Sequence, residues 1–179
     1  YPCGVLLVAV TGPVGSGKTT QLLQLAEENA SVDGFVQVAG PRSDPNRGAD
    51  SYTLKFLRSR EEHPFLERTQ QGYRFDNIAR KARDAWAASL EADIVVLDEF
   101  GKWEAEGGGH MDIWPTIIES GASVAIISVR KDSIAEIESQ LGHPFDVVID
   151  VTQPKPEKRL RDVLSQVRDW ERVGVYGTG

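Results

Sequence analysis

The stretch Gly12-Pro13-Val14-Gly15-Ser16-Gly17-Lys18-Thr19 fits the pattern G-x-x-x-x-G-K-[ST] and lies between an apolar run and a segment with helical periodicity. Glycine lets a backbone wrap closely around phosphate oxygens. The amides near Gly15 to Lys18 are therefore expected to point inward, and the following helix adds its positive N-terminal end. With Thr20, these residues make up the expected nucleotide-binding set. Lys18 is expected to bridge β- and γ-phosphates, and Thr19 to offer its hydroxyl to Mg²⁺, a hard cation that takes oxygen ligands and keeps several waters. A chance glycine-rich turn would not explain the strand-like and helix-like context on its two sides.

That context sets the fold. Val5 to Thr11 is a continuous β-branched and aliphatic run, as a central parallel strand buried on both faces requires. After the loop, Leu22, Leu25, Ala26 and Ala30 fall at helical spacing, with Gln21, Gln24, Glu27 and Glu28 on a wet side. Further along, Asp93-Ile94-Val95-Val96-Leu97-Asp98-Glu99 predicts a second buried strand ending in two carboxylates. In a parallel sheet, ligands collect at the C-terminal strand ends, so this end and the glycine loop are expected to share one crevice. Asp98 is the expected Mg²⁺ ligand. Glu99 is the expected catalytic carboxylate, placed to orient or deprotonate a water at the γ-phosphate. Without the phosphate loop, the pair would read as no more than a polar strand end.

The other elements alternate in the same way. Strands are predicted over Gly34 to Ala39, Tyr52 to Phe56, Ser123 to Val129 and Phe145 to Val151, with a short strand or turn at Gly72 to Phe75. Asp76 reads as the N-cap of a helix whose Ile78, Ala82, Ala85, Trp86 and Leu90 face inward and whose Arg80, Lys81, Arg83 and Asp84 face water. Further helices are predicted around Trp114 to Ile118, after Asp132 and from Pro156. Gly40 to Asp50 reads as a mobile polar loop carrying Arg42 and Arg47, Arg58 to Gln71 as a charged irregular stretch with a surface His63, and Gly107 to His110 as a flexible link. Arg130 follows a strand end and is the candidate for sensing the γ-phosphate; strand-end arginines also commonly pair with a nearby carboxylate. The alternation predicts an α/β fold, mostly parallel in its central sheet, with helices on both faces. One domain is expected over 1–173, with a flexible tail over 174–179.

Composition bounds the function. At 179 residues and 19.7 kDa, with 40% hydrophobic content, the chain suits one domain with a substantial core. A formal net charge of -7 argues against broad nonspecific binding to nucleic acid, which needs a surface of Lys and Arg. Cys3 is the only cysteine, so no intrachain disulfide forms, which fits a reducing compartment. The early apolar run is too short to span a bilayer and no basic segment precedes it; a cytoplasmic protein without membrane insertion is expected.

The chain resembles the small nucleoside-triphosphatase family found in thermophilic archaea and bacteria and in human cells. The resemblance rests on Gly12 to Thr20, Gly34-Phe35, Tyr73 followed by Asp76, Ser128-Val129-Arg130, His143-Pro144 and above all Asp98-Glu99-Phe100-Gly101-Lys102-Trp103-Glu104, similar to that family's D-E-[I]-G-K-[M]-E signature. It implies a RecA-like P-loop NTPase sheet and Mg²⁺-dependent hydrolysis of nucleoside triphosphates with broad tolerance of the base. Carried over by position, Lys18 and Thr19 serve phosphate and metal, Asp98 the metal and Glu99 the water. The pattern gives Glu104 no role. Trp103 stands where methionine is usual, Ala105 replaces a leucine-like residue, and Gly107 to Gly109 are an unusual insertion. Two other readings stay open at this point. One is a nucleotide or small-molecule kinase, since Gly17 to Gln21 also resembles the start of thymidylate kinase. The other is an ATP-dependent switch acting through a protein partner, with a homo-oligomeric neighbour able to supply an arginine.

Overall fold

The computed structural model describes residues 4–13 and 15–177, with side chains described as far as residue 166. The elements run β1 (Leu6–Thr11), α1 (Lys18–Glu28), β2 (Val32–Ala39), β3 (Ser51–Phe56), β4 (Glu62–Thr69), β5 (Gly72–Phe75) and α2 (Asn77–Ala88). They continue through β6 (Ile94–Phe100), α3 (Lys102–Ala105), α4 (Trp114–Glu119), β7 (Val124–Val129), α5 (Ile134–Leu141), β8 (Val147–Asp150) and α6 (Pro156–Gly177). Helix α6 thus passes Gly174, where the tail was expected to begin. The side chains of that stretch and residues 178–179 lie outside the described residues.

All strands join one 8-stranded sheet in the order β5-β4-β3-β2-β6-β7-β1-β8. From β2 to β8 the neighbours are parallel; β3, β4 and β5 extend the β2 edge as antiparallel strands. The parallel part explains the continuous apolar runs. Because successive side chains point to opposite faces, Leu6, Val8 and Val10 of β1 pack against Leu22 and Leu25 of α1 and Leu160 and Leu164 of α6. Leu7 and Ala9 of the same strand turn to the other layer, with Ala79 and Ala87 of α2, Ile117 of α4 and Ile137 of α5. Each fully buried aliphatic side chain contributes about 1.5–3 kcal/mol relative to exposure, so both layers hold the sheet. An Arg161–Glu28 ion pair at 2.9 Å also ties α6 to α1.

Five expectations are corrected here. Arg58 to Gln71 is not irregular: it contains β4, hidden in the sequence by Pro64. The register slips there, Tyr52 opposing Leu66 while Thr53 opposes Pro64, and such a bulge accommodates a residue that cannot donate to the ladder. Within β4, His63 is half-buried against the Phe56 ring at 5.9 Å. Helix α2, capped by the Asp76 carboxylate at the Ile78 and Ala79 amides, is rotated relative to the expected face: Ile78 is 73% exposed and Arg83 only 1%. The Gly40 to Asp50 loop is tied down. Asp50 accepts from the Ser43 amide and hydroxyl, Arg68 donates to the Gly48 carbonyl, and the Tyr73 hydroxyl donates to that of Ala49. Gly107 to His110 is likewise a held turn, described below.

Candidate active site

The phosphate loop joins the C-terminal end of β1 to the N-terminus of α1. Gly15 (φ 78°) and Gly17 (φ 92°) adopt left-handed backbone that other residues take only at a cost, and Gly17 is the N-cap of α1. No side chain caps that helix, so its first amides are left to a ligand. The Ser16 amide donates to the Pro13 carbonyl at 3.1 Å, closing the loop's first turn. Lys18 is buried and its Nζ donates to the Gly12 carbonyl at 2.9 Å, which holds the ammonium inside the loop it is expected to serve. The Ser16 Oγ, on the loop itself, is buried without a hydrogen-bond partner, a polar atom that a phosphate would satisfy. Thr20 is exposed on the first turn of α1, and Val14 lies outside the described residues.

The acidic strand end meets this loop. Thr19 Oγ1 donates to Asp98 Oδ2 at 3.0 Å, and the Gln37 amide of β2 donates to the same oxygen at 3.2 Å. Burial and the neighbouring Glu99 charge push the Asp98 carboxyl up to about 6, against the opposing effect of the Ser128 and Thr19 hydroxyls and the Gln37 amide. A buried carboxylate with the Thr19 hydroxyl on it and no cation within ion-pair distance among the described residues is an oxygen donor set suited to Mg²⁺. Glu99 is one residue further out, 33% exposed, and its Oε1 lies 3.7 Å from Arg130 Nε at the end of β7. The structure therefore brings Lys18, Thr19, Asp98, Glu99 and Arg130 together at the C-terminal ends of β1, β6 and β7. Arg130 is seen in the carboxylate pairing weighed for it.

Glu104, without a role in the sequence, is a clamp. Its Oε1 accepts from the Gly101 amide at 2.8 Å and its Oε2 from the His110 amide at 2.9 Å. Burial raises its carboxyl above the usual range, and the two amides oppose that rise. The backbone passes so close that a Cβ on Gly109 (φ 56°) would collide with Glu104 Oε2. Gly109 is therefore needed on two counts, and the glycines form the seat of the clamp. Beyond it, His110 is buried, its Nδ1 3.0 Å from Arg83 Nη1 and its Nε2 2.8 Å from Gln37 Oε1. Burial and the Arg83 charge hold that imidazole well below its ordinary value and thus neutral. Arg83 continues to Asp112 at 2.7 Å and Asp84 at 2.9 Å. Gln37, Arg83 and His110 carried no sequence signal as site residues, because each joins the site through tertiary contacts between segments remote in the chain.

A sheet of this order, with a phosphate loop on its β1 and a carboxylate pair on a strand separated from it by β7, is that of the RecA-like P-loop NTPases. The solved structure of THEP1 from the hyperthermophile Aquifex aeolicus superposes with a TM-score of 0.61 over 90% of this chain and 99% of that one, at 17% identity. The chain belongs to the NTPase family, whose model matches residues 7–164, and it is an enzyme of that class. Nucleoside-triphosphatase THEP1 of Methanosarcina barkeri (strain Fusaro / DSM 804) is 22% identical over 156 residues, 81% of this chain and 88% of the relative. Among the described residues no helix is long and apolar enough to cross a membrane.

Proposed function

We propose that the chain hydrolyses nucleoside triphosphates, with Mg²⁺, to the diphosphate and phosphate, and with little selection of the base. The observation that carries this is the contact between Thr19 and Asp98, which joins the phosphate loop to the strand end that bears Glu99. The loop amides and Lys18 bind and orient the phosphates; Lys18 leaves the Gly12 carbonyl to meet them. Thr19 and Asp98 would hold Mg²⁺, whose charge would draw electron density from the β- and γ-phosphate oxygens. Glu99 orients a water in line with the γ-phosphorus and accepts its proton as the P–O bond forms, the γ-phosphoryl group leaving the diphosphate oxygen. Arg130, held beside Glu99, is placed to turn toward the developing charge. The family match and the name of the archaeal relative support hydrolysis.

Phosphate release from ATP, GTP, CTP and UTP, with and without Mg²⁺, tests the proposal, with Lys18→Ala as control. Release from all four that needs Mg²⁺ and is lost in the control is expected. Release that survives Lys18→Ala, or that needs no divalent cation, would contradict it.

A further inference from the structure

On the side of Glu99 away from the phosphate loop lies a cavity of about 520 Å³, bounded by the antiparallel strands and by α3. Its volume is that of sites that enclose a small organic ligand. Glu99 and Arg130 line it, so a molecule inside would lie next to the γ-phosphate end of the phosphate-loop site. The hydrolytic water alone does not need a chamber of this size, and no residue of the phosphate loop lines it.

Three features of its wall define what fits. The first is an aromatic shelf: Trp103, 38% exposed, is braced edge-on by Tyr73 at 6.0 Å and by the tilted ring of Phe75 at 4.9 Å. Aromatic platforms of this kind stack planar heterocycles, worth about 1–3 kcal/mol per base. The second is positive charge, from the exposed side chains of Lys102 and of Arg47, the latter also 3.5 Å from Asp44. The third is a fixed donor. Arg83 has only N–H groups to offer, so His110 Nδ1 must accept and Nε2 must carry the ring proton. That proton goes to Gln37 Oε1. The Gln37 amide is thereby turned so that its Nε2 hydrogens, which have no partner among the described residues, are left for whatever enters the cavity. A buried chain from α2 through His110 thus sets the hydrogen-bonding sense of a residue at the cavity wall.

We infer that this cavity binds a second, small ligand made of a planar heteroaromatic ring with a hydrogen-bond acceptor and an anionic group, the chemistry of a nucleoside monophosphate. The ring stacks on Trp103, its acceptor meets the Gln37 amide, and the phosphate meets Arg47 and Lys102. The net charge of -7 disfavours a long polyanion, so the free nucleotide is the occupant rather than a nucleic acid strand. The inference rests on the proposed function only for the side on which the triphosphate lies.

Isothermal titration tests it on the full chain preloaded with Mg²⁺ and the non-hydrolysable AMP-PNP, which fills the phosphate loop. AMP, GMP, CMP and UMP are titrated in turn. One-to-one binding of at least one of them is expected, weakened tenfold or more by Trp103→Ala, on the surface of α3, and by Gln37→Glu. The latter keeps the acceptor that His110 needs and removes the donor. Absence of binding by all four at millimolar concentration, or binding unchanged by both variants, would overturn the inference. A single-stranded trinucleotide binding tenfold tighter than every monophosphate would overturn the choice of a free nucleotide. Failure of AMP-PNP to bind would contradict the proposed function instead, while the monophosphate titrations would still report on the cavity.

Discussion

The hydroxyl of Thr19 donates to the carboxylate of Asp98 at 3.0 Å, across 79 positions of sequence. One contact thereby fixes the N-terminal turn of α1 against the end of β6. It also leaves Asp98 buried with no cationic partner among the described residues, an arrangement that suits a metal and costs the metal-free fold.

That cost is measurable. The Asp98 carboxyl stands at about 6 in the fold against an ordinary 3.8. Its contribution to stability is therefore fully present below about pH 4 and is lost as pH rises through about 6. The difference corresponds to about 3 kcal/mol at most. In the absence of divalent cations at pH 7.5, Asp98→Asn is expected to raise stability by about 1–3 kcal/mol, an advantage that disappears near pH 4. Added Mg²⁺ should raise the wild-type Tm and leave the variant's unchanged. Urea unfolding at the two pH values and a melting curve with Mg²⁺ check this; a destabilised variant at pH 7.5 would contradict it.

Glu104 and Gly109 form a pair whose coupling has a definite sign. Glu104→Ala leaves the Gly101 and His110 amides without their acceptor, at about 1–3 kcal/mol each where they stay dry. Gly109→Ala forces a methyl into the same carboxylate and should cost a comparable amount. In the double variant the clash is gone, so the loss should fall short of the sum by about 1 kcal/mol or more. Additive losses would show that the contact does not determine the turn.

The Arg83 to His110 chain predicts a pH effect opposite to that of Asp98. Because the His110 imidazole is held well below 6.5, its contribution is present above 6.5 and lost as pH falls, when the unfolded chain takes up a proton the folded one refuses. The stability difference between wild type and His110→Gln should thus shrink between pH 7.5 and 5.5, with the Asp98 effect cancelling in the subtraction. Arg83→Met should cost about 2–3 kcal/mol, and Arg83→Lys should not restore it, since an ammonium lacks the fork that reaches Gly109, His110 and Asp112 together.

How far the sequence reaches is visible in particular residues. Gly12 to Thr19 and Asp98-Glu99 were legible because each needs only neighbours in the chain: a glycine turn between strand and helix, and charge at the end of a buried run. The parallel strands were legible for the same reason, their apolar runs being continuous. Strand β4 was not, since its pairing depends on a bulge that absorbs Pro64 and no alternation marks it. Arg83 was placed with its charged neighbours Arg80 and Lys81, yet it alone turns inward, because Asp112 and the Gly109 carbonyl wait there from a segment far down the chain. The glycines at Gly107 to Gly109 read as looseness, whereas Gly109 serves close approach to Glu104.

The most direct measurement is single-turnover phosphate release by Glu99→Gln, alongside its affinity for Mg²⁺ and ATP. The substitution keeps the size of the side chain and removes the base, while Lys18, Thr19 and Asp98 are untouched. A fall in rate of about 10²–10⁴ with ATP binding retained is the predicted result. Phosphate release at the wild-type rate would contradict the role of Glu99 and with it the hydrolytic reading of the site.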